Sequence, residues 1–112
     1  MEISTARAIT QELSHKFGNP ASLARVMKVD RSAIGRWLKG SQTPTGENEE
    51  KLMALSYVLA KLARMYRPET AQKWLVANNP FLGHKRPLDF IGDGRMAEVD
   101  VALEAVLTGG YL

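Results

Sequence analysis

Apolar residues recur along this chain at helical rather than strand spacing. Ile9, Leu13 and Phe17 fall every fourth position behind Ser4, a residue type that caps helix starts, so a first helix is predicted from Ser4 to about Phe17, ended by Gly18. Asn19 and Pro20 open a second, Ala21 to Met27, because proline is tolerated in a helix's first turn. A turn at Val29-Asp30 leads into a third, Arg31 to Leu38, capped by Asp30 and stopped at Lys39-Gly40. The polar stretch from Ser41 to Gly46 is the clearest linker. Beyond it Glu47, Glu49 and Glu50 suit the positive end of a long helix. Leu52, Leu55, Leu59, Leu62 and Tyr66 carry that helix in steps of three and four to residue 66. Met53, Val58 and Met65 widen its apolar stripe, as expected if it packs on two sides. Pro68 opens another helix with Ala71, Trp74 and Leu75 inward, closed by Asn78-Asn79 and Pro80. Pro87 to Ile91 makes one short turn, Gly92-Asp93-Gly94 breaks it, and Met96, Val99, Leu103 and Val106 define a last helix before Gly109-Gly110. No segment carries the period-two alternation of a strand, so an all-α fold is predicted. The linker suggests two groups of helices, residues 1–46 and 47–112, with the long helix 47–66 a candidate bridge.

Length and composition narrow the function. A chain of 112 residues buries one modest core or two small ones, which excludes large catalytic folds. With no cysteine there is no disulfide framework, thiolate metal site or cysteine nucleophile, and the composition suits a reducing cytoplasm. No apolar run reaches the roughly 20 residues of a membrane span, and Met1-Glu2-Ile3-Ser4 lacks the pattern of an export signal, so a cytoplasmic protein without membrane contact is expected. The formal charge of +3 is unevenly spread. Residues 1–46 hold seven Lys and Arg against three acids (+4), and residues 47–112 hold eight against nine (−1). A basic front half is what a polyanion partner requires, although a solvated helix surface has the same composition.

The front half also has the layout of a helix-turn-helix. Leu23, Ala24 and Met27 lie on one helix, Val29 in the turn, and Ile34 and Trp37 on the next. Two short helices crossing steeply need a small residue at their contact, here Ala24, and apolar inner faces. Lys28 stands where glycine is common, and a left-handed backbone there costs about 1–2 kcal/mol. If this unit binds operator DNA, the third helix presents Arg31, Ser32, Gly35 and Arg36 to the major groove, while Lys39 and Ser41 approach phosphates. Gly35 permits close approach, and Arg36 is the candidate for bidentate reading of a guanine. Arg31 has the alternative of holding phosphate. A single copy binds weakly, so a homo-oligomer, at least a dimer reading two half-sites, is expected.

The back half contains a specific set of residues: Ala71-Gln72-Lys73-Trp74-Leu75, Asn79-Pro80-Phe81-Leu82-Gly83, Arg86-Pro87-Leu88-Asp89-Phe90-Ile91, and Gly109-Gly110-Tyr111-Leu112. From about Tyr57 onward the chain resembles the toxin-binding domain of the Xre/MbcA/ParS antitoxin family, which also places an Xre-like helix-turn-helix in front. The resemblance implies a partner, a RES-domain toxin that consumes NAD and is held inactive in the complex, and an antitoxin that itself catalyses nothing and needs no cofactor. It implies repression of its own operon through the front domain. Carried over by position, Gly110, Tyr111 and Leu112 would cover the entrance to the toxin's NAD pocket, with Leu82, Gly83, Lys85, Arg86, Pro87, Leu88 and Asp89 contributing toxin-facing surface. His84 departs from the family, which often has a second glycine after Gly83, and this puts the loop's backbone shape in question. The same residues have a structural use as well: Leu82, Leu88 and Phe90 close a core, Trp74 fills it, and the prolines terminate helices.

Catalytic chemistry finds no support in the residues. His15 and His84 lie far apart without a patterned acid or nucleophile, and Glu98, Asp100 and Glu104 on the last helix have no metal-ligand signature around them. Two rivals remain open at this level. One is a stand-alone helix-turn-helix repressor whose back half only dimerises, and the other is an antitoxin acting by protein contact alone.

Overall fold

In a computed structural model of the chain, residues 1–109 are described, and among them the ordered elements are seven α-helices and one 3-10 turn. The helices are α1 (Ile3–Lys16), α2 (Pro20–Met27), α3 (Arg31–Lys39), α4 (Gly46–Leu62), α5 (Pro68–Val76), α6 (Pro87–Gly92) and α7 (Met96–Gly109), with the 3-10 turn at Pro80–Leu82. The only strand-like feature among the described residues is an isolated bridge between Asn79 and Lys85. Four of the five prolines, Pro20, Pro68, Pro80 and Pro87, open a helix or the 3-10 turn, where a missing N–H leaves nothing unsatisfied. No helix among the described residues is long and apolar enough to cross a membrane.

Packing divides the chain into two compact units, Met1–Ser56 and Tyr57–Leu112. The linker predicted at 46 coincides with the start of α4, and the division between packing units falls ten residues later, inside that helix. In the first unit α1, α2 and α3 contact one another pairwise. Leu23, Ala24 and Met27 of α2 and Ile34 and Trp37 of α3 are buried, as their spacing predicts. On α1 the buried stripe is Ala6, Thr10, Leu13 and Ser14, whereas Ile9 and Phe17 are only half-buried. Small residues on the inner face let two neighbouring helices approach α1 closely. Thr10 is accommodated because its hydroxyl donates to the Ala6 carbonyl at 2.6 Å.

The second unit is built from the end of α4 with α5, α6 and α7. Val58, Leu59 and Leu62 are buried, as are Ala71, Trp74 and Leu75 on α5, Phe90 and Ile91 on α6, and Val99, Ala102, Leu103 and Val106 on α7. α6 contacts both α5 and α7, and α7 contacts the 3-10 turn. The Arg95 guanidinium covers the Phe90 ring at 4.4 Å from its centroid.

Helix ends differ from expectation in three places. α1 begins at Ile3 with Glu2 as N-cap, so Ser4 lies inside the first turn. Asp30 occupies the N-cap of α3, but it is its backbone carbonyl, accepting from Ala33 N at 3.0 Å, and not its side chain that closes the turn. α4 stops at Leu62, after which the chain tightens through bonds from Arg64 N to Lys61 O (3.2 Å) and Met65 N to Leu62 O (3.0 Å).

Candidate functional site

Two regions concentrate the candidate residues, one in each unit. In the first, α2 and α3 are joined by the three residues 28–30. Asn19 caps α2, its side chain accepting from Ser22 N at 2.8 Å. Lys28 takes the left-handed backbone expected of it, at φ 58 and ψ 46. Val29 N then reaches back to Ala24 O at 3.0 Å, which completes the turn. Val29 itself is half-buried. α3 ends in the same way, with Gly40 at φ 76 and Ser41 N donating to Arg36 O at 3.1 Å. A side chain at Gly40 would run into the Arg7 guanidinium, which donates to the Lys39 carbonyl at 2.7 Å.

Arg31, Ser32, Arg36, Lys39 and Ser41 are all exposed, and Gly35 is half-buried with open space where a Cβ would stand. Arg36 and Ser41 are brought together, the Ser41 hydroxyl donating to the Arg36 carbonyl at 3.3 Å. Sequence reading missed Gln42, whose Oε1 accepts from Arg36 Nε at 2.6 Å. Arg36, Trp37, Ser41, Gln42 and Pro44 are among the residues lining a groove of about 490 Å³ along the exit of α3. A glutamine in a polar linker has no periodic signal, so only the fold discloses this contact.

In the second unit the segment 79–85 closes on itself. The buried Asn79 side chain accepts from Phe81 N at 2.9 Å, while the Asn79 backbone carbonyl accepts from Leu82 N and His84 N at 2.9 Å each and the Asn79 backbone N–H donates to Lys85 O at 3.0 Å. Gly83 (φ 63) and His84 (φ 62) follow one another in the left-handed region. The backbone therefore has the shape two glycines would give, although the second position is a histidine. Of the residues expected to face a partner, Gly83 and Lys85 are exposed, Arg86, Leu88 and Asp89 are half-buried, and Leu82 and Pro87 lie inside the unit. Leu82 is 4% exposed, and the exposed apolar side chain of this loop is its neighbour Phe81, at 49%. Arg86 and Asp89 pair through two bonds, Nε to Oδ2 at 3.0 Å and Nη2 to Oδ1 at 2.7 Å, and Asp89 holds the guanidinium's pKa above its ordinary value. Gly110, Tyr111 and Leu112 lie outside the described residues. Among the described residues no group of three or more His, Asp or Glu stands close enough to hold a metal.

The fold of this chain is found again in a solved toxin-antitoxin complex. The crystal structure of the Mycobacterium tuberculosis MbcT-MbcA toxin-antitoxin complex contains a chain that superposes with a TM-score of 0.74 and 22% identity, over 95% of this chain and 96% of that one. The fold is thus that of a small all-helical chain of a toxin-antitoxin complex. The mycobacterial cidal antitoxin MbcA, from Mycobacterium bovis and from M. tuberculosis, is 30% identical over 86 residues, covering 75% of this chain and 76% of MbcA. A probable mycobacterial cidal antitoxin of M. tuberculosis is 29% identical over 90 residues, 80% of this chain and 76% of that protein. No family model matches. This chain belongs to the MbcA family of antitoxins, whose members are not enzymes.

Proposed function

We propose that this protein neutralises an NAD-consuming, RES-domain toxin of the MbcT kind by direct contact, and that it represses its own operon through the helix-turn-helix of its first unit. Membership of the MbcA family is the observation that carries the first half of this reading. The self-closed loop 79–85 supports it physically. A loop whose backbone bonds are already satisfied gives up little conformational freedom on binding, so its exposed side chains contribute to affinity nearly in full. In this reading Phe81, Gly83, Lys85 and the Arg86–Asp89 pair meet the toxin, while Leu82 and Pro87 hold the loop's base. Gly110, Tyr111 and Leu112 cover the toxin's NAD entrance, with Tyr111 an aromatic anchor of the type that dominates interface energies.

The operator-binding half rests on the set Arg31, Ser32, Gly35, Arg36, Lys39 and Ser41, and is supported by the exposure of all but the half-buried Gly35 on and just beyond one helix. A homo-oligomer, at least a dimer, supplies the two half-sites.

The test is co-expression with the adjacent toxin reading frame while cellular NAD is followed. The full chain is expected to preserve NAD and to co-purify with the toxin. A chain lacking residues 110–112 is expected to co-purify yet let NAD fall. Undiminished protection by the shortened chain would refute the role of the terminus, and failure of the full chain to co-purify would refute the partner.

A further inference from the structure

The arginines of the two units are held in chemically different ways. In the first unit each observed partner is neutral: Arg7 donates to the Lys39 carbonyl (2.7 Å), Arg25 to the Ser22 hydroxyl (3.0 Å) and Arg36 to the Gln42 amide oxygen (2.6 Å). In the second unit Arg86 and Arg95 are held by carboxylates, Asp89 and Glu98, at 2.7 Å. A carboxylate fixes a guanidinium but cancels its charge and competes for the same N–H groups, whereas a neutral oxygen fixes it and leaves the charge whole. Restraint by a neutral oxygen suits an arginine that must meet a polyanion, because it fixes the guanidinium and keeps the attraction undiminished.

Arg36 lies at the turn that ends α3. Its backbone carbonyl accepts from the Ser41 N–H at 3.1 Å and from the Ser41 hydroxyl at 3.3 Å, so the segment leaving α3 is folded back onto Arg36. That places Gln42 against the side of the guanidinium, where it engages Nε. The two Nη groups are then left as a fork for a bidentate acceptor, the pattern that a guanine offers through O6 and N7 in the major groove.

We propose that Gln42 is a positioning residue for DNA reading: it aims the Arg36 fork at a guanine without contributing base contacts of its own. This rests on the operator-binding reading above. It predicts that Gln42 affects discrimination at the position Arg36 reads and leaves phosphate-driven affinity alone.

The experiment is selection from a randomised duplex library with the full-length protein, comparing wild type, Gln42→Ala, Gln42→Met, Arg36→Ala and the Gln42→Ala/Arg36→Ala double variant. Gln42 is an exposed linker residue, and an unchanged thermal midpoint verifies each variant's fold. Wild type is expected to enrich a site with one guanine whose preference disappears in Arg36→Ala. Both Gln42 variants are expected to weaken that preference about fivefold, with unaltered binding to random duplex and an unaltered salt slope, and Gln42→Ala is expected to add nothing in the Arg36→Ala background. An intact guanine preference in the Gln42 variants would overturn the proposal, as would a Gln42 effect that adds in full to that of Arg36→Ala. If wild type enriches no sequence, it is the operator-binding reading that falls, an outcome distinct from either.

Discussion

Phe81 and Leu82 are adjacent in sequence and go opposite ways in the fold, the first outward on the loop and the second into the unit's interior. Their substitutions separate two effects that share one motif. Leu82→Ala removes buried volume and is expected to cost about 2–4 kcal/mol, read as a lowered urea midpoint at unchanged m-value. Phe81→Ala is expected to leave the midpoint within about 0.5 kcal/mol and to weaken toxin capture about tenfold or more, measured by titration of the purified partner. Equal loss of stability in both would show that the loop is only a plug for its own core. The sequence reading put Leu82, and not Phe81, on the toxin-facing surface, because a five-residue stretch around a proline has no periodicity to say which side chain turns inward. Which side chain turns inward is decided by the Asn79 bonds and the paired left-handed residues, neither of which has a signature in an apolar pattern. Where periodicity exists, as for Leu23, Met27, Ile34 and Trp37, the sequence alone identified the interior correctly.

Turns decide how elements meet, and the turn between α2 and α3 carries a cost that the rest of the chain offsets. Lys28 holds a left-handed backbone that a glycine would adopt without steric penalty. Lys28→Gly is expected to stabilise the protein by about 1 kcal/mol, seen as a higher denaturant midpoint with α2 and α3 unchanged by circular dichroism. A decrease would mean that the lysine makes a contact outweighing its strain. This conformation was legible beforehand because the turn's geometry demands it whatever residue is present. The starts of α1 and α3 were less so: a serine or aspartate in the right place suggests a cap, but whether the side chain bonds depends on local torsions. Glu2 and the Asp30 carbonyl serve where Ser4 and the Asp30 carboxylate were expected. The small-residue stripe of α1 was hidden for a related reason. Thr10 and Ser14 count as polar in any periodicity, yet crowding by two helices buries them.

For the whole molecule the distribution of charge matters more than the total of +3. If the basic front half meets DNA as a dimer, with Arg31 and Lys39 of each copy on phosphates, the logarithm of the binding constant is expected to fall against the logarithm of salt with a slope near −4. Lys39→Ala is expected to reduce that slope by about 2 for the dimer, one per copy, measured by fluorescence anisotropy on the upstream duplex across a salt series. A slope insensitive to Lys39 would remove it from the interface. The all-α class and the family were legible from helical spacing and the Asn79-to-Ile91 motifs, but the extent of each packing unit was not. A polar linker marks where a chain leaves one helix, and the following helix then continues to contribute side chains, Leu52 and Leu55, to the unit before it. Each unit moreover encloses one indole of its own, Trp37 at 3% exposure and Trp74 at 5%. Because these are the chain's two tryptophans, replacing either with phenylalanine leaves a single intrinsic fluorophore whose emission reports one half of the molecule, so melting of the halves together or in turn is readable without any added dye.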